Sequence, residues 1–263
     1  LIATREVSAG EELLCVPRSL SIRPSEFVSN IGKSGMVGAK LAEAGKSLIE
    51  TPEGASCLLA LSLLREVALG DDSRFAPYIE ILPTQSELQH PLLWEPSYVE
   101  SLLKGSHLVE RIARLRSDLV TEFEGLRFDV LKFDTKTFPP EVFTVEQYIW
   151  AHAIILSRSV PIEEEICLVP LLDMANHESG APHSWEAVEE SVKQGGKAST
   201  TTQASAALIA GARVEAGEEV CIDYSRGVER TSWEFLYSYG CVPAMSGMEE
   251  EAASAYWLEQ GGR

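Results

Sequence analysis

Hydrophobic positions along the chain change their spacing twice. Before Pro24 they fall in short runs: Leu1-Ile2-Ala3-Thr4, then Glu12-Leu13-Leu14-Cys15-Val16-Pro17, then Leu20-Ser21-Ile22, with Ser8-Ala9-Gly10-Glu11 as a turn after the first. Runs this short, bounded by Gly and Pro, predict strands. Residues 29–54 hold scattered glycines and lysines and predict a loop with short helical pieces. From 55 to 69 the residues Cys57, Leu58, Leu59, Leu61, Leu63, Leu64 and Val67 recur too densely for one exposed face. That density predicts a mostly buried helix, ended by Gly70-Asp71-Asp72-Ser73. Val99, Leu102, Leu103, Leu108, Ile112, Leu115 and Leu119 keep helical intervals across 95–127. A further helix is predicted over 144–159, where Thr144 and Gln147 have the spacing of a capping box.

After Pro161 the strand pattern returns, in Ile166-Cys167-Leu168-Val169-Pro170, in residues 205–210 and in residues 219–224. Residues 190–202, rich in Gly, Lys and Thr, predict an exposed hairpin loop, and Glu163-Glu164-Glu165 a solvated one. Tyr237 and Tyr239 alternate as a strand would, or lie at a helix end. The order is therefore β, a long α block, then β, an α+β class in which a β unit is split by helices.

Composition narrows the picture only a little. A chain of 263 residues with 45% hydrophobic and 24% charged residues has the material for a core, in one large domain or two modest ones. Forty acidic against 22 basic residues give a formal charge of −18. That balance argues against a face that neutralises nucleic-acid phosphates and favours attraction of a basic protein segment. Five scattered cysteines form no CxxC pair, so neither a zinc ribbon nor a disulfide framework is expected, and reduced thiols in an intracellular compartment fit. No apolar run has the roughly 18–20 residues of a membrane span. Asp173, His177, Glu178 and His183 match no metal-ligand spacing, so no metal is expected. His152, in an apolar helix, reads as a core histidine.

Chemistry concentrates in two stretches. Pro170-Leu171-Leu172-Asp173-Met174-Ala175-Asn176-His177 mounts polar side chains directly after an apolar run, where binding groups are often carried. Ala216-Gly217-Glu218-Glu219-Val220-Cys221-Ile222-Asp223-Tyr224 follows, then Ser238-Tyr239-Gly240. Together these resemble SET-domain methyltransferases, through an Asn-His pair, a Gly-Glu-Glu…Tyr strand and a terminal Tyr-Gly. Phe75-Ala76-Pro77-Tyr78-Ile79 with Leu82-Pro83, Leu102-Leu103-Lys104-Gly105-Ser106, and Trp150-Ala151 with Ser157-Arg158-Ser159 are similar to motifs of one branch. That branch is the Rubisco large-subunit lysine methyltransferase group.

The resemblance implies a SET β-fold of small sheets with a pseudoknot, formed by residues 1–28 and 160–243 and interrupted by a helical insertion at 29–159. It implies S-adenosylmethionine as cofactor and a protein substrate, methylated on lysine or, less in keeping with the branch, histidine. Asn176 and His177 are then cofactor contacts, with Asp173, Ser157 and Arg158 as further candidates for the same pocket. Tyr224 matches the active-site tyrosine, catalytic and beside the cofactor, and Tyr239 lines the channel for the target side chain. A phenol serves there because it hydrogen-bonds without carrying charge at neutral pH. No nucleic acid or membrane partner is implied, a monomer is expected, and chloroplast, cytosol and nucleus are all open as compartments.

Some residues depart from the pattern. Thr231-Ser232 stands where the family has Ser-Asn, Cys241 where it has Phe, and Phe75 where it has Trp. Leu1 falls where a Gly-x-Gly loop over the cofactor ends, and residues 244–263 are expected to begin a C-terminal substrate-gripping domain. The rival reading is a SET-like module that binds a protein partner without catalysis.

Overall fold

The computed structural model describes residues 1–193, 200–225, 228 and 230–243. The chain enters through β1 (Glu12–Pro17) and passes into seven helices: α1 (Pro24–Ile31), α2 (Met36–Leu48), α3 (Pro52–Leu69), α4 (Ala76–Ile81), α5 (Pro96–Leu102), α6 (Leu108–Asp129) and α7 (Val145–Arg158). It returns as β2 (Val160–Ile162), β3 (Glu165–Cys167), β4 (Asn176–His177), β5 (Ser184–Lys193), β6 (Thr200–Ile209) and β7 (Cys221–Ile222), then α8 (Ser232–Tyr239). The expected domain start at 244–263 lies outside the described residues. No described helix is long and apolar enough to cross a membrane.

Helix α3 forms because Thr51 caps it, accepting the Gly54 N–H at 3.1 Å, and Pro52 sits in its first turn, where a missing N–H costs nothing. Leu58, Leu59, Leu61, Leu63 and Leu64 are all fully buried, since α1, α2 and α7 pack around it. With Phe123, Tyr148 and Ile154 they make the larger of two main cores. The other lies in the β layer, among Val16, Val169, Ala206, Leu208, Val214, Val220 and Ile222. There β6 is central, antiparallel to β1 on one side and β5 on the other.

Several expectations need correction. Residues 29–54 are not a loop but mostly helix, with α2 contributing 13 residues. The helical stretch over 95–127 is two helices, parted at Gly105 in a left-handed conformation (φ 84°). Of the expected strand Leu20-Ser21-Ile22, Leu20 ends a 3₁₀ turn (Arg18–Leu20) and Ile22 makes an isolated antiparallel bridge to Leu168. Leu1-Ile2-Ala3-Thr4 pairs with 218–220 through an isolated bridge. Strands β5 and β6 extend into 190–202 from both sides, leaving residues 194–199 outside the described ones. The Glu163–Glu165 run is not merely solvated. Glu165 accepts from the Ser25 backbone N–H in the first turn of α1, from the Ser25 hydroxyl at 2.9 Å and from Arg18 Nη2 at 2.8 Å. A carboxylate at a helix N-terminus is favoured by the helix dipole, and this one ties the helices to the β2–β3 hairpin.

The feature that shapes the site is a crossing of chains. Strand β4 runs parallel to β7, pairing His177 with Ile222, and His183 bridges the same Ile222, also in parallel. The loop between His177 and His183 thus straddles the β7 strand. Gly180, at φ 75°, donates its N–H to Asp223 Oδ2 at 3.0 Å and fastens the loop to the strand. Gly211 lies so close to the loop that a Cβ there would come within 1.8 Å of the Pro182 carbonyl oxygen.

Candidate active site

Strand β7 delivers Tyr224 to the wall between two cavities, of about 600 and 390 Å³. Ser157, Arg158, Asp173, Tyr224 and Tyr239 line both. The larger continues past Pro182 and Trp185, the smaller past Asn176, His177 and Cys241. Openings of this size are in the range that holds small-molecule ligands.

Aromatic rings form the wall. The Tyr224 and Tyr239 centroids are 4.6 Å apart at 41°, and His177 packs on Tyr224 at 5.1 Å and on Phe235 at 4.7 Å. Helix α8 carries Phe235 and Tyr239 on one face, four residues apart as helical geometry requires. The Tyr224 hydroxyl donates to the Ala175 carbonyl at 2.8 Å, so its lone pairs remain as acceptors. Burial, and secondarily Cys241, Tyr239 and Asp173 nearby, push the phenol up to about 12 against the pull of Arg158. It is neutral at physiological pH.

His177 is held from both sides. Its Nδ1 accepts the Tyr224 backbone N–H at 3.1 Å, which fixes the neutral tautomer with the proton on Nε2, and Nε2 lies 3.3 Å from Ser179 Oγ. Asp223 braces the same turn by accepting from Ser225 N–H and Oγ at 2.8 and 2.6 Å. Partial burial would raise its carboxyl, but the Ser225 and Gly180 hydrogen bonds outweigh that and hold it below the ordinary range. Behind Tyr224, Arg158 Nη1 lies 3.5 Å from Asp173 Oδ2 and donates to the Asp173 carbonyl at 3.2 Å. Burial raises the Asp173 carboxyl, partly offset by hydrogen bonds from Tyr78 and Arg158. Among the described residues, no group of three or more His, Cys, Asp or Glu is arranged to hold a metal.

No family model matches the chain. In sequence it is similar to the N-lysine methyltransferase setd6 of Danio rerio, 24% identical over 255 residues, which cover 91% of this chain and 49% of that protein. It is 25% identical over 244 residues to the chloroplastic ribulose-1,5 bisphosphate carboxylase/oxygenase large subunit N-methyltransferase of Pisum sativum, covering 92% of this chain and 45% of that one. The SET domain of LSMT bound to MeLysine and AdoHcy superposes with a TM-score of 0.70 at 25% identity, over 93% of this chain and 50% of the other. The fold is that of a SET domain. Rubisco LSMT bound to AdoMet superposes on this SET domain almost as well, with a TM-score of 0.69 at 23% identity. The chain spans about half the length of the curated relatives it matches.

Within the SET domain the seven residues singled out from sequence all border one or both cavities, though not in equal condition. Tyr224, Tyr239, His177, Arg158 and Asp173 are brought together by contacts. Asn176 is exposed and donates Nδ2 to Glu219 Oε1 at 2.7 Å. The Ser157 hydroxyl bonds back to Ala153 and Ile154 of its own helix, at 2.8 and 3.2 Å. Sequence reasoning missed a role for Tyr78, for Phe235 under His177 and for Asp223 as the brace of the crossing. Tyr78 and Asp223 both stand inside the quoted motifs, at the tyrosine of Phe-Ala-Pro-Tyr and the aspartate of Ile-Asp-Tyr, and that was the available signal.

Proposed function

We propose that this chain is the catalytic part of a protein-lysine N-methyltransferase that uses S-adenosylmethionine. The observation that carries the reading is the neutral, half-buried Tyr224 phenol on the wall shared by two cavities, in a fold whose neighbours have AdoMet, or AdoHcy with methyl-lysine, bound. Two cavities meeting at one wall suit a reaction in which cofactor and target side chain approach from opposite sides.

The residues present fit the cofactor. Asn176, His177, Asp173 and Arg158 all line the smaller cavity, and Asp173 Oδ1 and Arg158 Nε are buried and unpaired among the described residues. S-adenosylmethionine, when bound, supplies a methyl group activated by its positive sulfur. In our reading Asn176 and His177 hold the cofactor, with Asp173, Arg158 and the neighbourhood of Ser157 completing the pocket. Tyr224 directs its hydroxyl lone pairs toward the reacting groups without introducing charge, and the ring of Tyr239 lines the channel for the lysine. A dry aromatic channel disfavours a protonated amine, which keeps the target nitrogen nucleophilic. Alignment of the partners and preorganised dipoles then supply most of the acceleration.

We further propose that residues 1–28 and 160–243 carry most of the chemistry, while residues 29–159 brace it and lend Ser157 and Arg158 to the pocket. The acidic charge attracts a basic substrate segment, and the enzyme works as a monomer inside the cell. Incubation with methyl-labelled S-adenosylmethionine and a protein extract tests the reading, and hydrolysis of labelled protein tells methyl-lysine from methyl-histidine. Methyl-lysine is expected. Cofactor binding with no transfer would favour the non-catalytic module, and absence of both would remove the methyltransferase reading.

A further inference from the structure

Tyr78 reaches the site from outside the β layer. It stands on α4 next to Pro77, and its ring is buried in the helical core. Its hydroxyl donates to Asp173 Oδ2 at 2.7 Å, whereas Arg158 lies 3.5 Å from the same oxygen. The Asp173 side chain is wholly buried, yet Oδ1 has no hydrogen-bond partner among the described residues. A buried acceptor left unpaired is destabilising, and more so when charged. Its place in the lining of both cavities identifies what would relieve that cost: a donor brought in by a ligand.

We propose that Tyr78 is a positioning residue that fastens the Asp173 carboxylate through Oδ2, leaving Oδ1 as the acceptor for an ammonium group entering the cavity. The proposal rests on the methyltransferase reading, in which an ammonium group comes either from the amino-acid end of the cofactor or from the protein substrate. The charged groups and phenols facing Asp173 are Tyr78 from α4, Arg158 from α7 and Tyr224 after β7. Burial opposes ionisation of Asp173, and the Tyr78 hydrogen bond works against that burial together with the charge and the hydrogen bond of Arg158. Burial and the neighbouring carboxylate hold the Tyr78 phenol itself well above its ordinary value, so it stays a donor throughout the working pH range.

Tyr78→Phe keeps the ring in the core and removes the donor. The Asp173 midpoint should then rise, because the carboxylate loses its best partner while its burial is unchanged. Affinity for the ammonium-bearing ligand should fall about tenfold at the acid end of the working range and recover to within about threefold as pH rises. Titration calorimetry with S-adenosylhomocysteine reads the cofactor end, and KM for a protein substrate reads the other. A pH-dependent loss in either supports the proposal and names the source. A loss that is the same at every pH overturns it, as does an undiminished effect of Tyr78→Phe in an Asp173→Asn background. Carboxyl ¹³C titration of Asp173, assigned with Asp173→Asn, needs no turnover. If the wild type neither binds cofactor nor transfers methyl, the methyltransferase reading fails while this titration still decides the role of Tyr78. Should Tyr78→Phe not fold, the titration is made in Arg158→Met, where Tyr78 is left as the hydrogen-bond donor to Oδ2: an Asp173 still ionised at pH 7 upholds the proposal, and a protonated one overturns it.

Discussion

Replacing Tyr224 by Phe removes one oxygen from the wall between the cavities and leaves the ring stack with Tyr239 and His177 in place. The structural cost is legible. The hydroxyl donates to the Ala175 carbonyl at 2.8 Å, and Ala175 is buried, so the variant leaves one carbonyl short of a partner. That is a loss of about 1–2 kcal/mol in unfolding free energy. The catalytic cost should be larger, because loss of one preorganised polar group at a reacting centre typically lowers kcat by about 10²–10³, or roughly 2.7–4 kcal/mol. Cofactor affinity should change less than about threefold, since the groups assigned to hold the cofactor are untouched. Calorimetry with S-adenosylhomocysteine, single-turnover methyl transfer and urea denaturation separate these three quantities. With the phenol held up to about 12, no limb of the wild-type pH–rate profile below pH 10 should vanish in the variant. The reasoning is refuted if turnover stays within threefold of wild type, or falls only in step with cofactor affinity.

Three other outcomes are expected. Glu165→Gln should lower stability by about 2 kcal/mol, because it removes the charge facing Arg18 while Arg18 stays partly screened by solvent; an unchanged urea midpoint would show the network to be inert. Of the thiols, exposed Cys241 should react with a disulfide reagent in the native protein and be protected by S-adenosylhomocysteine, whose proposed cavity it lines. Cys57 and Cys167, pushed up to about 12 chiefly by burial, should stay unmodified until unfolding, as mass spectrometry of labelled peptides can check. Burial also holds His90 and His152 down to about 4, below the 6.5 of the unfolded chain, so the unfolded state binds more protons between those values. Stability should therefore be complete above pH 6.5 and decline as pH falls toward 4, by about 2 kcal/mol per histidine at pH 5. Replacing His152 by Asn should flatten part of that slope in a pH series of denaturation midpoints.

What could be read from the chain differs from what could not by the distance over which partners meet. The buried helix α3 and the capped helix α7 were legible because cap, period and stop signal lie within a few residues of one another. The residues of the crossing were legible as motifs, since Asn176-His177 and Ile222-Asp223-Tyr224 are contiguous. Tyr78 also stands in a quoted motif, but its role was not legible, as its partner Asp173 lies 95 residues away and no periodicity links them. Glu165 looked like surface charge for the same reason: its partner Ser25 is 140 residues distant. Helix α2 was missed on different grounds. Its glycines resemble breakers, but a Cβ on Gly38 would stand 2.1 Å from the Ile31 carbonyl oxygen, and one on Gly45 would stand 2.6 Å from Val28 Cγ2. Those glycines let α2 approach α1, and close approach leaves no mark on a hydrophobic pattern.

The site's architecture follows from how little sheet supports it. Strands β4 and β7 are two residues each, and a pair that short is not stable by itself. Three things compensate. The 177–183 loop straddles β7 and is fastened by Gly180, the rings of His177, Tyr224, Phe235 and Tyr239 stack across the strand ends, and the helical block supplies Arg158 and Tyr78 from behind. Two of these reach the site along chain far from the crossing itself. Substitutions in the helical core that shift α4 or α7 by a fraction of an ångström should therefore alter ligand affinity before they unfold the protein, because Asp173 depends on both helices for its hydrogen bonds. A helical insertion in this position is part of the site's foundation as well as of the molecule's bulk.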